Sequence, residues 1–307
     1  MSKLENSMEI LQSVSDAIVG VAKQVSPSVV RVGAGRGSGS GLVWSSDGYI
    51  VTSNHVVERS DSVEVGLDGG RSLEAKLVGQ DNDSDIALLK IEGASGLKPL
   101  QLGDSSNLQV GQFVLAVANP FGSNPAVTSG IVTSSRRSFG WRWGRGSLDN
   151  VVITDARLNP GYSGGPLVDA GGKVIGINAA YAYSRGIAIP INTVKTVVDK
   201  LAKEGRIKRG YLGVVLNEIE FPEELSKQTG QEGGLMVVSV SIESPAKKAG
   251  VAIGDVIVKL DQKPVEGLYD LQRLLNDEII GKEVKLSVLR AEKSLELKIT
   301  PGDAVSQ

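Results

Sequence analysis

The 307-residue chain contains no cysteine and a single histidine, His55. Without cysteine there is no disulfide framework, no thiolate nucleophile and no cysteine-ligated metal. With one imidazole the chain cannot build a zinc site on two or three histidines of its own. No run reaches the ~18 apolar residues that a membrane-spanning helix needs. The opening MSKLENSMEILQSVSDAIVGVAKQV lacks a basic start, a compact apolar run and a small-residue cleavage site, so it does not read as a signal peptide. As written, the chain is expected in the cytoplasm, and outside it if it is the trimmed form of a longer precursor. Neither sign of charge dominates: 33 Lys and Arg face 35 Asp and Glu, for a net charge of −2. Nothing in that balance calls for nucleic acid or an acidic membrane as the main partner. No G-x-x-x-x-G-K-[ST] segment is present either, so no ATPase motor is expected in this chain.

What is there is ordinary globular material, 41% hydrophobic and 22% charged, long enough for about two domains. Over residues 3–25, Leu4, Leu11, Val14, Ile18, Val21 and Val25 recur mostly at intervals of three or four, which predicts an amphipathic helix. Its apolar face either packs on the domain behind it or mediates self-association. Ser26-Pro27 ends it. The texture then changes. Short β-branched runs (SVVRVG, GLVWSS, GYIVTS, SVEVGL, DIALLKI, QFVLAVA, GIVTSS, VVITDA, GPLVDA, KVIGINAA) alternate with Gly, Asp and Asn, which predicts a sandwich or barrel. Helical spacing returns at Val194, Val197, Val198 and Leu201, with Gly205 as the stop. Residues 206–210 read as a hinge. A second unit mixes strands near YLGVVL, LMVVSV, DVIVKL, VKLSVLR and LELKIT with a helical turn at SPAKKAG and a helix at LYDLQRLLNDEI. The tail PGDAVSQ reads as frayed. The expected organisation is an N-terminal helical segment over residues 1–27, a strand-rich domain over 28–205 and an α+β domain over 206–302.

Three segments carry chemistry, in this order: Ser53-Asn54-His55-Val56-Val57, then Asp81-Asn82-Asp83-Ser84-Asp85-Ile86-Ala87-Leu88-Leu89, then Asn159-Pro160-Gly161-Tyr162-Ser163-Gly164-Gly165-Pro166-Leu167. A serine hydroxyl is a poor nucleophile until a base takes its proton. Histidine is suited to that work by its ordinary pKa of about 6.5. A buried carboxylate fixes the imidazole tautomer and stabilises the imidazolium. Asp85 sits where a polar loop meets an apolar strand, which suits that role better than Asp81 or Asp83. The glycines around Ser163 permit a turn that aims the N–H groups of Gly161 and Ser163 at one point, an oxyanion hole. The order His, Asp, Ser differs from Ser, Asp, His of α/β hydrolases and from Asp, His, Ser of subtilisin-like enzymes.

These segments, with VSPSVVRV and GINAAYAYSRGIAIPIN, resemble the catalytic segments of the HtrA (Deg) family of serine proteases, and the resemblance runs from about residue 16 to 302. It implies a mainly β fold: a chymotrypsin-like double β-barrel with the site in the cleft, plus a small PDZ domain. It implies His55 as general base, Asp85 as its orienter and Ser163 as nucleophile, with no cofactor and no metal. The residue before the nucleophile, commonly Asn in that family, is Tyr162 here, a ring expected to affect access or loop state. Members of that family often carry aromatic residues in the N-terminal segment that lock a trimer; residues 1–27 contain none, so a homo-oligomer is one option and a trimer only a weak expectation.

In trypsin-like folds the residue six before the nucleophile lines the floor of the specificity pocket. That assigns Arg157, with Leu158 and Ile187, to the pocket, and no acid stands there to pair with a basic substrate side chain. Cleavage after Lys or Arg is not expected; the resemblance implies Ala, Val or Leu, and an acidic preference if Arg157 points inward. The segment Ser134–Leu148 interleaves Arg136, Arg137, Arg142 and Arg145 with Phe139, Trp141 and Trp143. It reads as a surface loop, a regulatory or oligomer-contacting loop, or a basic-aromatic patch. Tyr211-Leu212-Gly213-Val214 resembles the carboxylate-binding loop of a PDZ domain, where an extended C-terminal peptide adds to a sheet edge. The function implied is ATP-independent quality-control proteolysis of unfolded or misfolded chains. The alternatives are a peptide-triggered regulatory protease and a chaperone or scaffold with minor proteolysis. Neither nucleic acid nor membrane is an expected partner.

Overall fold

A computed structural model describes residues 3–304 except 36, 59, 61, 68–69, 123–124, 141–146, 183 and 292. The chain divides into two compact units, Met1–Ile207 and Lys208–Gln307.

The first unit begins with α1 (Lys3–Val25). Its expected packing holds only near its C-terminal end: Ile18 and Val21 are half-buried and Val25 is fully buried, whereas Met8, Leu11 and Val14 stay exposed. Six strands follow: β1 (Val29–Ala34), β2 (Gly37–Val43), β3 (Tyr49–Ser53), β4 (Val63–Gly66), β5 (Ser72–Asp81) and β6 (Ile86–Ile91). They close into a barrel in the order β1-β2-β3-β6-β5-β4. A one-turn helix, α2 (Asn54–Val57), leaves the end of β3. The second barrel is built from β7 (Phe113–Ala118), β8 (Ala126–Gly140), β9 (Ser147–Thr154), β10 (Pro166–Asp169), β11 (Val174–Ala182) and β12 (Arg185–Pro190). It closes in the order β10-β11-β12-β9-β8-β7. Closure joins the two edge strands of each sheet, so every strand has a partner on both sides.

The core explains the sequence texture. Each barrel encloses a core of its own, one around Ile50, Val65 and Leu89 and the other around Val114, Leu167 and Ile175, while Leu42, Leu88, Leu115 and Ile177 join a third apolar cluster with α3 (Ile191–Glu204). Val194, Val198 and Leu201 supply the helix side of that cluster, and α3 stops at Gly205 in the left-handed conformation (φ 70). The segment Ser134–Leu148, read as a loop, belongs mostly to a long antiparallel pairing of β8 with β9. Trp141, Arg142, Trp143 and Arg145 lie outside the described residues.

In the second unit β13 (Gly210–Tyr211) pairs with β20 (Gly302–Asp303), so the start of the tail expected to fray is tied down as a strand. The main sheet comprises β14 (Val214–Glu220), β15 (Gly233–Val240), β16 (Val256–Leu260), β18 (Val284–Arg290) and β19 (Lys293–Ile299), with β17 (Lys263–Pro264) on β16. Helices α4 (Glu223–Thr229), α5 (Pro245–Lys248) and α6 (Leu268–Leu274) complete it. Leu235, Ile257, Leu286 and Val288 anchor a core separate from that of the barrels.

Candidate active site

Strand register brings the first two catalytic candidates together. Ser53, the last residue of β3, pairs with Ile86, the first of β6. The residues just beyond that rung, His55 on α2 and Asp85 before β6, therefore lie side by side. The Asp85 carboxylate accepts the His55 backbone N–H (2.9 Å) and faces ring Nδ1 at 2.9 and 2.8 Å. Its carbonyl accepts the N–H of Asn54 at 2.9 Å. The backbone that presents it is left-handed (φ 55), a region Asp tolerates better than most residues. The Asp85 side chain is only 6% exposed and that of His55 is 40% exposed. With Nδ1–H donated to the carboxylate, Nε2 is left as the basic nitrogen. Asp81 has a different part: its Oδ2 accepts the N–H (3.0 Å) and hydroxyl (2.6 Å) of Ser84, which braces the loop leading to Asp85. Asp83 is half-buried in the same loop.

Ser163 lies beside α2: a Cβ placed on Gly39 would meet Val56 Cγ2 at 2.7 Å and the Ser163 carbonyl at 2.9 Å. The turn before it follows from Pro160-Gly161. The N–H of Tyr162 donates to Asn159 O at 3.0 Å, and Gly161 has φ 91. Pro at the second position and a left-handed Gly at the third make a type II turn. Beyond it, Tyr162 O accepts Gly165 N–H (3.0 Å), Ser163 O accepts Ser40 N–H (2.8 Å) and Gly164 N–H donates to Asn178 O (2.8 Å). Among the described residues the N–H groups of Gly161 and Ser163 donate to nothing, so both are free to meet an oxyanion.

The Ser163 hydroxyl donates to Ala179 O at 3.1 Å, and no bond to His55 is formed among the described residues. Ala179 is available for this because β11 bulges there: Asn178 pairs with Ala188 and Ala180 with Ile187, which leaves Ala179 without a ladder partner. The ring of Tyr162 does not crowd the nucleophile. It is 3% exposed, enters the second barrel's core beside Ala116, Val132 and Leu167, and hydrogen-bonds Thr128 through its hydroxyl. Burial pushes that phenol above its usual pKa, with the Thr128 bond opposing.

A cavity of about 350 Å³ opens beside the nucleophile, lined by Leu158, Asn159, Pro160, Ser163, Ala179 and Ala180. Of the three residues expected in a specificity pocket, only Leu158 lines it. Arg157 is exposed, because burial alternates from Ala156 to Leu158 and a charged guanidinium is costly to bury. Its carbonyl, not its side chain, faces inward and accepts the Thr128 hydroxyl at 2.7 Å. Ile187 is 1% exposed and belongs to the core cluster shared by the two barrels. Ala179, Ser40 and Thr128 were not legible as site residues: nothing in an alanine, or in a serine among glycines, announces a bulge or a buried hydroxyl.

In the second unit Tyr211 closes β13, and Leu212 and Gly213 form the connection to Val214 at the start of β14. Leu212 O accepts Ala246 N–H and Gly213 O accepts Ser241 N–H, each at 2.9 Å. Gly213 has φ 78, and a Cβ there would collide with the Ser244 side chain. The β14 strand is an edge of its sheet. Glu218 on that strand accepts the N–H of Leu268 at 2.8 Å, tying the strand to the start of α6. A strand edge beside a helix is the arrangement that receives an extended peptide by β-augmentation.

A double six-stranded barrel with an Asp–His pair, a Gly-flanked serine and a separate α+β unit defines a trypsin-like serine peptidase domain joined to a PDZ domain. Residues 39–177 match the trypsin-like peptidase domain family and residues 210–300 the PDZ domain family. The chain resembles the HtrA-type protease AlgW solved with a tripeptide, at 31% identity and a TM-score of 0.79 over 93% of this chain and 96% of that one. It also resembles the serine endoprotease from Yersinia pestis, at 31% identity and a TM-score of 0.76 over 92% of this chain and 96% of that one. The chain belongs to the HtrA-type serine proteases. Among curated relatives, the probable periplasmic serine endoprotease DegP-like of Pseudomonas fulva is 40% identical over 86% of this chain and 55% of its own length. Its counterpart from Halomonas elongata is 38% identical over 87% and 57% respectively. The chain thus spans little more than half the length of these relatives.

Proposed function

We propose that this chain is an ATP-independent serine endopeptidase that hydrolyses peptide bonds in unfolded or misfolded proteins, with a PDZ unit that holds C-terminal peptides. The observation that carries it is the Asp85 carboxylate 2.8 Å from His55 Nδ1, on a scaffold that also presents Ser163. An extended substrate along β11 offers an N–H to Ala179 O and displaces the Ser163 hydroxyl, which turns to His55 Nε2. As Oγ attacks the scissile carbonyl, His55 takes its proton and Asp85 steadies the imidazolium. The oxyanion is met by the N–H groups of Gly161 and Ser163. His55 then protonates the leaving amine, and water repeats the sequence on the acyl-enzyme. The small, largely apolar cavity supports Ala, Val or Leu at the cleaved position. The peptide in the AlgW structures supports peptide capture by this chain's PDZ unit, and the names of the curated relatives support a periplasmic setting.

The bond from Ser163 to Ala179 O favours a second reading, a protease that rests until a peptide triggers it. Digestion of β-casein decides. The wild type is expected to cut casein, and Ser163→Ala to lose about 10⁴-fold or more. Cutting only after a hydrophobic C-terminal peptide is added selects the triggered reading. No cutting under either condition, with suppression of aggregation by Ser163→Ala, selects a chaperone.

A further inference from the structure

Ser40, on β2, lies at the meeting point of the two barrels and the nucleophile turn. It is wholly buried, 0% exposed. Its hydroxyl donates to Gly161 O at 2.7 Å and accepts the N–H of Asn119, just past the end of β7, at 2.8 Å. Its own N–H donates to Ser163 O at 2.8 Å, and its carbonyl accepts the Thr52 hydroxyl at 2.7 Å. A hydroxyl has one proton to give. Asn119 N–H can only donate and Gly161 O can only accept, so the direction of both hydroxyl bonds is fixed.

These bonds matter because Gly161 is the pivot of the oxyanion hole. The peptide that follows it is held at both ends, with its carbonyl on Ser40 Oγ and its N–H on Asn159 O. The peptide that precedes it carries the Gly161 N–H, and its direction is set only by the turn type. A type I turn would take Gly161 from φ 91 to about −90° and rotate that peptide by roughly half a turn. The N–H would then point away from the oxyanion. A Gly has little intrinsic preference between these conformations. That rotation leaves the Gly161–Tyr162 peptide in place, so the bond from Ser40 Oγ to the Gly161 carbonyl does not choose between the turns; it fixes where Gly161 stands relative to barrel one.

We propose that Ser40 is a positioning residue for the oxyanion hole: its buried hydroxyl anchors the Gly161–Tyr162 peptide to barrel one and so fixes the place from which the Gly161 N–H meets the developing charge. The inference rests on the protease reading above. Ser40 touches no substrate; it acts through Gly161.

The test compares wild type, Ser40→Ala and Ser40→Cys in the full chain on a fluorogenic peptide that the wild type cuts, with kcat and KM separated. A peptide aldehyde of the same sequence is the second probe, because its hemiacetal oxygen needs the hole while the ground-state peptide does not. Active sites are titrated and folding is followed by thermal melts. Ser40→Ala is expected to lower kcat by about 10- to 100-fold, less than the loss of a hole donor itself. Its KM should stay within about threefold, and aldehyde affinity should fall in parallel with kcat. Ser40→Cys, similar in size but a weak donor, should fall between. If Ser40→Ala does not fold, Ser40→Cys decides alone. Unchanged kcat per titrated site and unchanged aldehyde affinity in a folded variant overturn the proposal. A wild type that cuts nothing overturns the protease reading and this inference with it, whereas an active wild type with indifferent Ser40 variants overturns this inference only.

Discussion

At the scale of single residues, catalytic groups and the groups that hold them differ in how well they can be read. His55, Asp85 and Ser163 stood out because residue type, order and glycine flanks together point to one chemistry, and His55 and Asp85 do meet at hydrogen-bond distance. Their supports carry no such mark. The Tyr162 ring, expected to bear on access, instead runs into the second barrel and bonds Thr128, which in turn holds Arg157 O. That chain links the nucleophile turn to the cavity wall. Tyr162→Phe removes one buried hydroxyl and should cost about 1 kcal/mol, read as a lower urea midpoint with an unchanged slope. Thr128→Val, which also frees Arg157 O, should cost more. The two should be less than additive in a double mutant, since they share a bond.

At the scale of elements, strands with an apolar run or an alternation such as LELKIT were mostly legible. The strand β5 was missed although Glu74 and Lys76 alternate with Leu73, Ala75 and Leu77; of these three only Ala75 is buried. The helix α4 buries nothing, so it has no apolar stripe to find. The short strand β16 shows how a polar pair can hold an element in place. Asp255, just before it and 1% exposed, accepts Arg290 Nε on β18 at 2.7 Å and Ala252 N–H at 2.9 Å. Burial alone would raise its pKa; the Arg290 bond, the Ala252 N–H and the Arg290 charge together outweigh it and hold the carboxyl below its usual value. A carboxylate depressed in the folded state contributes stability above its unfolded pKa, ~3.9, and that contribution is lost as pH falls through the folded value. The PDZ transition should therefore move to lower temperature below about pH 4. Asp255→Asn should destabilise the PDZ unit at neutral pH by an amount on the order of 1–3 kcal/mol and flatten its acid dependence. An unchanged acid limb would assign that limb to other carboxylates.

At the scale of the whole molecule, each barrel has a core of its own and the two share a third apolar cluster with α3, whereas the second unit has a separate one. Cooperative unfolding follows contiguous cores. Calorimetry should therefore resolve two transitions, one for both barrels together and one for the PDZ unit. Leu286→Ala, at a site 0% exposed, should cost about 2–5 kcal/mol and displace the second transition only. Three separate transitions would mean that the barrels melt independently.

Strand closure has a further consequence for the proposed work among extended, sticky chains. Both barrels hide their hydrogen-bonding rims, so aggregating strands find nothing there to copy. The PDZ sheet keeps two outer strands, β14 and β19. Lys293, Glu296 and Lys298 are exposed on β19, charges that discourage a stranger from docking. On that sheet the margin beside α6 is left for strand pairing, so a molecule acting as proposed can grip one chain end without being recruited into the aggregate that chain came from.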